Sequence, residues 1–494
     1  MGLAVSRNSH SFFQRLLTWV FTDQVCWKVT IAALPNEILL DIFCIYLDLP
    51  QRSRPVVNAY NPGRDSWHTL ADVCQRWRDV VFAMPRYLDL QFDCTNETPM
   101  KVLKEILEIW PIPITISCYQ SGPRVRGVLN IAAVLKRRDR LRGVCFRGNL
   151  NPLLTRFAAA LSKPFPELTS LQLSSADNDN PHVLPDSFLG GFAPRLRSLK
   201  LHGVPFPSPR KLLLSATDLV TLRFERIPYS GPGYISPEEI VACLSTLTKL
   251  EEFALEFRCY GHPSTQHPVT RSVLPALTSL RFEGARAYLE DLLSRTDLPL
   301  LDNVDITSTY RDTSHSPLLS ELVSRFDSLG ALHCAEITFD ERSRIVNVAL
   351  SRSRGVADSR TLRFRIECHR SQLLPLSQFW DLALPPFPNL EHLYIHSAFP
   401  LHSSQYFAES AQWLELLRQF TSVENLHLSP DTAERVAGAL QDLFTRGVTG
   451  VLPALQNIFL SGHWGWSFAI KYVEQFVAAI RPFGRSVSVQ KESG

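Results

Sequence analysis

Two histidines, His262 and His267, stand five residues apart in a Pro/Ser/Thr-rich stretch, which is where a loop would begin to hold a metal ion. A zinc site needs three or four His, Cys or carboxylate ligands gathered together. No set of three or four such ligands is evident around this pair, so the two read as solvated loop residues and no metal is expected. The ten cysteines are spread singly from Cys26 to Cys368 with no C-x-x-C pair. That usage fits reduced, partly buried thiols in an intracellular protein, cytoplasmic or nuclear. Gly231-Pro232-Gly233 lacks the strand-to-helix context of a phosphate cradle and reads as a turn. The chain has no G-x-S-x-G, G-x-x-x-x-G-K-[ST], H-E-x-x-H or G-x-G-x-x-G. With no catalytic constellation, neither an enzyme nor a cofactor is expected.

The remaining chemistry is that of binding. The densest basic run, Lys136-Arg137-Arg138-Asp139-Arg140-Leu141-Arg142, follows a helical pattern. Cations suit a helix end; an import signal or a patch for an acidic partner is the other reading. Ser351-Arg352-Ser353-Arg354 reads as a loop. His463-Trp464-Gly465-Trp466 is either an aromatic surface patch or a tryptophan closing the last repeat. Across 494 residues, 51 basic and 48 acidic side chains leave a net charge of +3. Such a balance predicts no nucleic-acid partner. No apolar run reaches the roughly 18 residues of a membrane span. Phe12 to Phe21 is broken by Gln14, Arg15 and Thr18. Met1-Gly2-Leu3-Ala4-Val5-Ser6 matches the short myristoylation pattern, against an ordinary flexible tail.

What would position binding residues is a repeat of the form Leu-x-x-Leu-x-Leu. Clear copies begin at Leu168, Leu196, Leu219, Leu250, Leu277, Leu301, Leu390, Val423 and Leu455, and weaker ones at Leu141, Leu329 and Leu362. The first six clear copies are 28, 23, 31, 27 and 24 residues apart, a period that means stacked repeats. Amphipathic helical segments run over Pro237–Leu247, Ala287–Arg295, Ser316–Phe326, Ala411–Phe420, Thr432–Phe444 and Phe468–Ile480. Strand then helix, repeated, predicts an α/β solenoid with parallel strands on one face and helices on the other. The pattern resembles the leucine-rich repeat family. It departs where that family places Asn or Cys in the turn, holding Ala176, Val204, Ile227, Arg258, Ala285 and Thr309. Variable turns and an irregular, shallow arc are therefore expected. Side chains alternate along a strand, so the outward positions include Lys200, His202, Arg223, Glu225, Glu252, Arg281, Glu283, Asp305, His392, Tyr394, His396 and His427. Their mixed charge suits a protein or peptide.

Near the start, Leu34-Pro35-Asn36-Glu37-Ile38-Leu39-Leu40-Asp41-Ile42-Phe43 places Ile38 with Ile42, and Leu39 with Phe43, on shared helix faces. Further on, Trp67, Leu70, Cys74, Trp77 and Val81 form one stripe. Two short helices cannot bury that much apolar surface alone. This order of types, completed by Val73, Arg78 and Pro85, resembles the F-box. The long Pro/Arg-rich connector from Asp48 to Ser66 resembles that of F-box proteins of mushroom-forming (basidiomycete) fungi.

An F-box followed by leucine-rich repeats implies a substrate-recognition subunit of an SCF-type cullin–RING ubiquitin ligase. The resemblance implies a Skp-type adaptor docked on Leu34, Pro35, Ile38, Leu39, Ile42, Phe43, Val73, Cys74 and Trp77, with a cullin reached through it. Spacing does not decide which of the nine face inward. The alternative is a repeat scaffold that binds partners without ubiquitin transfer. The expected organisation is a flexible segment over 1–30, the F-box over 31–87, a linking repeat over 88–120, the solenoid over 121–485 and a frayed tail over 486–494. Within the tail, a last strand is expected near Val487–Val489.

Overall fold

The computed structural model describes residues 31–48, 70–83, 90–94, 99–109, 112–119, 125–148, 150–176, 183–206, 209–228, 234–257, 271–309, 317–328, 332–340, 343–352, 361–367, 376–377, 387, 389–398, 410–448, 450–461, 466–484 and 486–492. The amino-terminal segment, the Asp48–Ser66 connector beyond Asp48, Trp67, Pro85, Gly231-Pro232-Gly233, His262, His267, Ser353, Arg354 and the run His463 to Gly465 lie outside them. The chain divides into two compact units, Met1–Leu90 and Gln91–Gly494.

The first unit is helical. Pro35 stands just before the helix Asn36–Asp48, where the missing N–H of proline costs nothing. Its carbonyl accepts the Leu39 N–H at 3.1 Å. Leu39 and Phe43, one turn apart, are fully buried, and the Phe43 ring lies 4.7 Å from that of Trp77 on the second helix, Gln75–Phe82. Burial of a side chain such as Phe43 contributes about 1.5–3 kcal/mol. Arg76 ties the helices together, donating from Nε to Asn36 Oδ1 at 2.9 Å and from Nη2 to the Leu34 carbonyl. Arg78 turns back, donating to the Ala71 carbonyl at 3.1 Å.

The second unit is mixed α/β, built on a sheet of sixteen strands. They are β1 (Leu90–Asp93), β2 (Ile114–Tyr119), β3 (Leu141–Gly148), β4 (Ser170–Ser175), β5 (Ser198–His202), β6 (Thr221–Ile227), β7 (Glu252–Phe257), β9 (Ser279–Glu283), β11 (Asn303–Thr309), β12 (Cys334–Asp340), β13 (Ile345–Ser351), β14 (Thr361–Glu367), β15 (His392–Ser397), β16 (Asn425–Leu428), β17 (Asn457–Ser461) and β18 (Ser488–Glu492). A separate two-stranded ribbon pairs β8 (Ser272–Val273) with β10 (Thr296–Asp297). Each clear Leu-x-x-Leu-x-Leu copy sets its last two apolar residues on a strand, and these are buried, as at Leu199, Leu201, Leu280 and Phe282. The helices between strands pack on their neighbours in sequence, Pro430–Thr445 against both Ser410–Leu417 and Trp466–Ile480. That is the arrangement of stacked repeats.

One detail differs from expectation. From β2 to β11 the strands follow chain order in parallel, but the sheet then runs β11-β14-β13-β12-β15. Strand β13 is antiparallel to both neighbours, while β14 lies parallel to β11 and β12 parallel to β15. The sheet is thus interrupted by one reversed strand. The last strand expected near Val487–Val489 is present as β18, which pairs with β17 from Ser488 to Glu492 and extends the sheet. At the turn position that lacks Asn or Cys, Val204, Ile227 and Ala285 are buried. The turns vary accordingly: β6 carries a register shift between Phe224 and Ile227, and Arg226 sits at φ 55°. After β5, Gly203 adopts φ 63°, where an added Cβ would meet the Ser175 carbonyl oxygen at 2.8 Å.

Candidate functional site

The structure resolves which residues of the helical pair face inward. Leu39 and Phe43 form its core; Leu34, Ile42 and Trp77 are half-buried; Pro35, Ile38, Val73 and Cys74 are exposed. Ile38 is 45% exposed and Val73 58%. The sequence reading missed Ile45, also 45% exposed. Its signal was present: Ile38, Ile42 and Ile45 recur at i, i+4 and i+7, one helix face. Ile38 and Ile45 thus leave apolar surface in water on one face of the first helix, and Val73 does so just before the second.

On the sheet, the outward positions of successive strands stand side by side. Lys200 of β5 faces Arg223 of β6, then Ala254 of β7, Arg281 of β9 and Asp305 of β11. Around them, His202 Nδ1 lies 3.3 Å from Glu225 Oε2, Arg223 pairs with Glu252, and Arg281 reaches Asp305 at 3.9 Å. Exposed pairs of this kind contribute about 0–1 kcal/mol each, so they order the surface more than they stabilise the fold. The hydrogen bond to His202 holds the Glu225 carboxyl below its ordinary range. In the next row Glu256 faces Glu283 directly. Burial first, then Glu256 and Glu367, push the Glu283 carboxyl up to about 7, against the opposing pull of Arg281 and Arg365. Burial, then Glu225, likewise raises Glu256.

At the other end the outward positions are aromatic. The Tyr394 ring stacks on His427 at 4.0 Å, and His427 on Phe459 at 4.5 Å, along β15, β16 and β17. His392 Nδ1 lies 3.2 Å from His427 Nε2. Here the expectation of solvent-facing positions is corrected. Tyr394 and His427 occupy outward registers but are 7% and 4% exposed, because each flat ring in the ladder covers the next. His392 and His396 are half-buried.

Between the two halves, where β13 runs backwards, the face dips into a depression of about 260 Å³. Asp305, Arg363 and Arg365 line one side, Glu336 and Thr338 the other, and Asn347 and Ala349 of β13 lie between. The dip exists because Ala349 faces both Arg363 and Glu336 in register, so a methyl group stands where its neighbours carry long side chains. Of these residues only Asp305 stood among the expected binding positions. Arg363 and Arg365 are the x-positions of the weak copy Leu362-Phe364-Ile366 and were readable on that ground; Asn347 and Ala349 lie on the reversed strand.

Arg140 of the basic run is occupied structurally, donating to the carbonyls of Leu107 at 2.8 Å and Ile112 at 3.0 Å. Among the described residues no group of His, Cys, Asp or Glu is arranged to hold a metal ion, and no helix is long and apolar enough to cross a membrane.

No family model matches the chain, and no curated protein matches it. Among solved structures it is similar to the crystal structure of the leucine-rich repeat-containing protein LegL7 from Legionella pneumophila, with 11% identity over 64% of this chain and 93% of that one and a TM-score of 0.26. This chain's own parallel strand pairing defines its repeats.

Proposed function

We propose that the chain is an F-box protein with leucine-rich repeats, the substrate-recognition subunit of an SCF-type ubiquitin ligase. Its helical pair docks a Skp-type adaptor, and through it a cullin, while the outward face of the repeat sheet holds a protein substrate. The chain performs no bond chemistry. It raises the effective concentration of substrate lysines beside a ubiquitin-conjugating enzyme. The observation that carries this reading is the split within the motif: Leu39 and Phe43 seal the helical pair, while Ile38, Ile45 and Val73 are left in water. A buried core explains the first set; the second gains nothing until a partner covers it.

The test is capture of purified Skp adaptor by the tagged full chain, with the surface variant Ile38→Asp/Val73→Asp beside wild type. Retention by wild type and loss in the variant, with helical and strand content unchanged by circular dichroism, is the expected result. Failure of the folded wild type to retain adaptor would sink the reading and leave the alternative, a repeat scaffold that binds proteins without ubiquitin transfer.

A further inference from the structure

The depression beside β13 carries two charges of opposite sign that no ion pair or hydrogen bond engages, although Asp305 stands opposite Arg363 in register on β11. Arg363 is exposed and Glu336 half-buried, and neither has a hydrogen-bond or ion-pair partner among the described residues. Each faces Ala349 from its own side. With strands 4.7–4.9 Å apart, the two backbones are therefore about 10 Å from one another. Their neighbours are better supplied. Asp305 has Arg281 at 3.9 Å, and Arg365 donates to Asn347 Oδ1 at 3.4 Å while its charge acts on the carboxyl of Glu283 two strands away. Thr338 and Asn347 add uncharged hydrogen-bonding groups on the floor and rim.

We infer that this depression binds an extended peptide segment bearing an acidic and a basic side chain two residues apart, the acid against Arg363 and the base against Glu336. The spacing argues for that ligand. Same-face side chains of an extended chain recur about every 6.7 Å, and the long Arg and Glu walls reach inward over the Ala349 floor to meet them. A wholly acidic segment would leave one carboxylate against Glu336, and a wholly basic one an ammonium against Arg363; like charges placed opposite one another are penalised. The inference rests on the sheet face being the substrate-holding surface and narrows what that surface selects.

The test uses fluorescein-labelled decapeptides identical except for a central Glu-Ala-Lys, Lys-Ala-Glu, Glu-Ala-Glu or Lys-Ala-Lys, titrated with the full chain by anisotropy at low salt. The better of the two dipolar peptides should bind about fivefold more tightly than either uniform one, as two half-exposed ion pairs allow. The substitution Arg363→Glu should transfer the preference to Lys-Ala-Lys, a reversal that misfolding cannot imitate. Equal affinities for all four peptides, no saturable binding by any, or an Arg363→Glu variant that weakens all four alike would overturn the inference. Adaptor capture by the same preparation is read separately, so loss of peptide selectivity with adaptor binding intact refutes this proposal alone.

Discussion

Replacing Glu283 with Gln should stabilise the repeat unit at pH 8 and leave it nearly unchanged at pH 5. Glu283 stands in the outward row of β9 with Glu256 directly opposite, and burial, Glu256 and Glu367 push its carboxyl up to about 7. A carboxyl raised that far from its ordinary range corresponds to about 3 kcal/mol if fully shielded from water. The group is half-buried, so screening leaves about 1–2 kcal/mol. The sign follows from proton linkage. The folded state holds the Glu283 proton more tightly than the unfolded state, so its contribution to stability is intact below the unfolded value near 4.5. That contribution is lost as pH rises through about 7. Gln mimics the protonated form and removes the titration. Urea midpoints of wild type and variant at pH 5 and pH 8 provide the comparison. A midpoint remains readable even where a repeat array departs from two-state unfolding. Subtracting the two proteins cancels the shared titrating groups that do not interact with Glu283. A gap between them of the same size at both pH values would refute the assignment.

Two further outcomes follow from packing. Cys74 is exposed at the start of the second helix, whereas burial, then Glu239, pushes the Cys243 thiol up to about 12; maleimide labelling of the native protein at pH 7.5, read by peptide mass mapping, should modify Cys74 and spare Cys243. Gly203→Ala should lower the thermal midpoint by more than a surface change such as Lys249→Ala, since it places a Cβ at φ 63° and 2.8 Å from the Ser175 carbonyl oxygen.

What the sequence disclosed followed from how periodic each element is. The helix Pro430–Thr445 and the strand Ser198–His202 alternate apolar and polar residues at 3.6 and 2.0 residues, so both were legible. Strand β13 alternates just as cleanly, with Val346, Val348 and Leu350 buried. Strand direction leaves no mark on a period of two, since reversing a strand preserves which face each side chain takes. That is why the reversed strand, and with it the depression, was absent from the sequence reading. The burial of His427 was illegible for another reason. Its register was right, but coverage by Tyr394 and Phe459 depends on two other strands brought alongside.

The same property of alternation keeps the outward face continuous through the reversal. Ala349 meets Arg363 on one side and Glu336 on the other although its strand runs backwards, and Val346, Val348 and Leu350 stay buried on the opposite face. The charges on that face can then be followed one by one. Glu283 draws on Arg281 and Arg365, Asp305 on Arg281, Glu252 on Arg223, and Glu225 on His202 and Arg223. Within the depression that leaves Arg363 and Glu336 over. They stand on either side of one short side chain, Ala349. Charged groups left half out of water without partners give the fold little. A substitution as small as Ala349→Gln would fill the gap, reaching both walls with hydrogen-bonding groups. The arrangement therefore makes sense in terms of a ligand that supplies both partners at once, and much less in terms of stability.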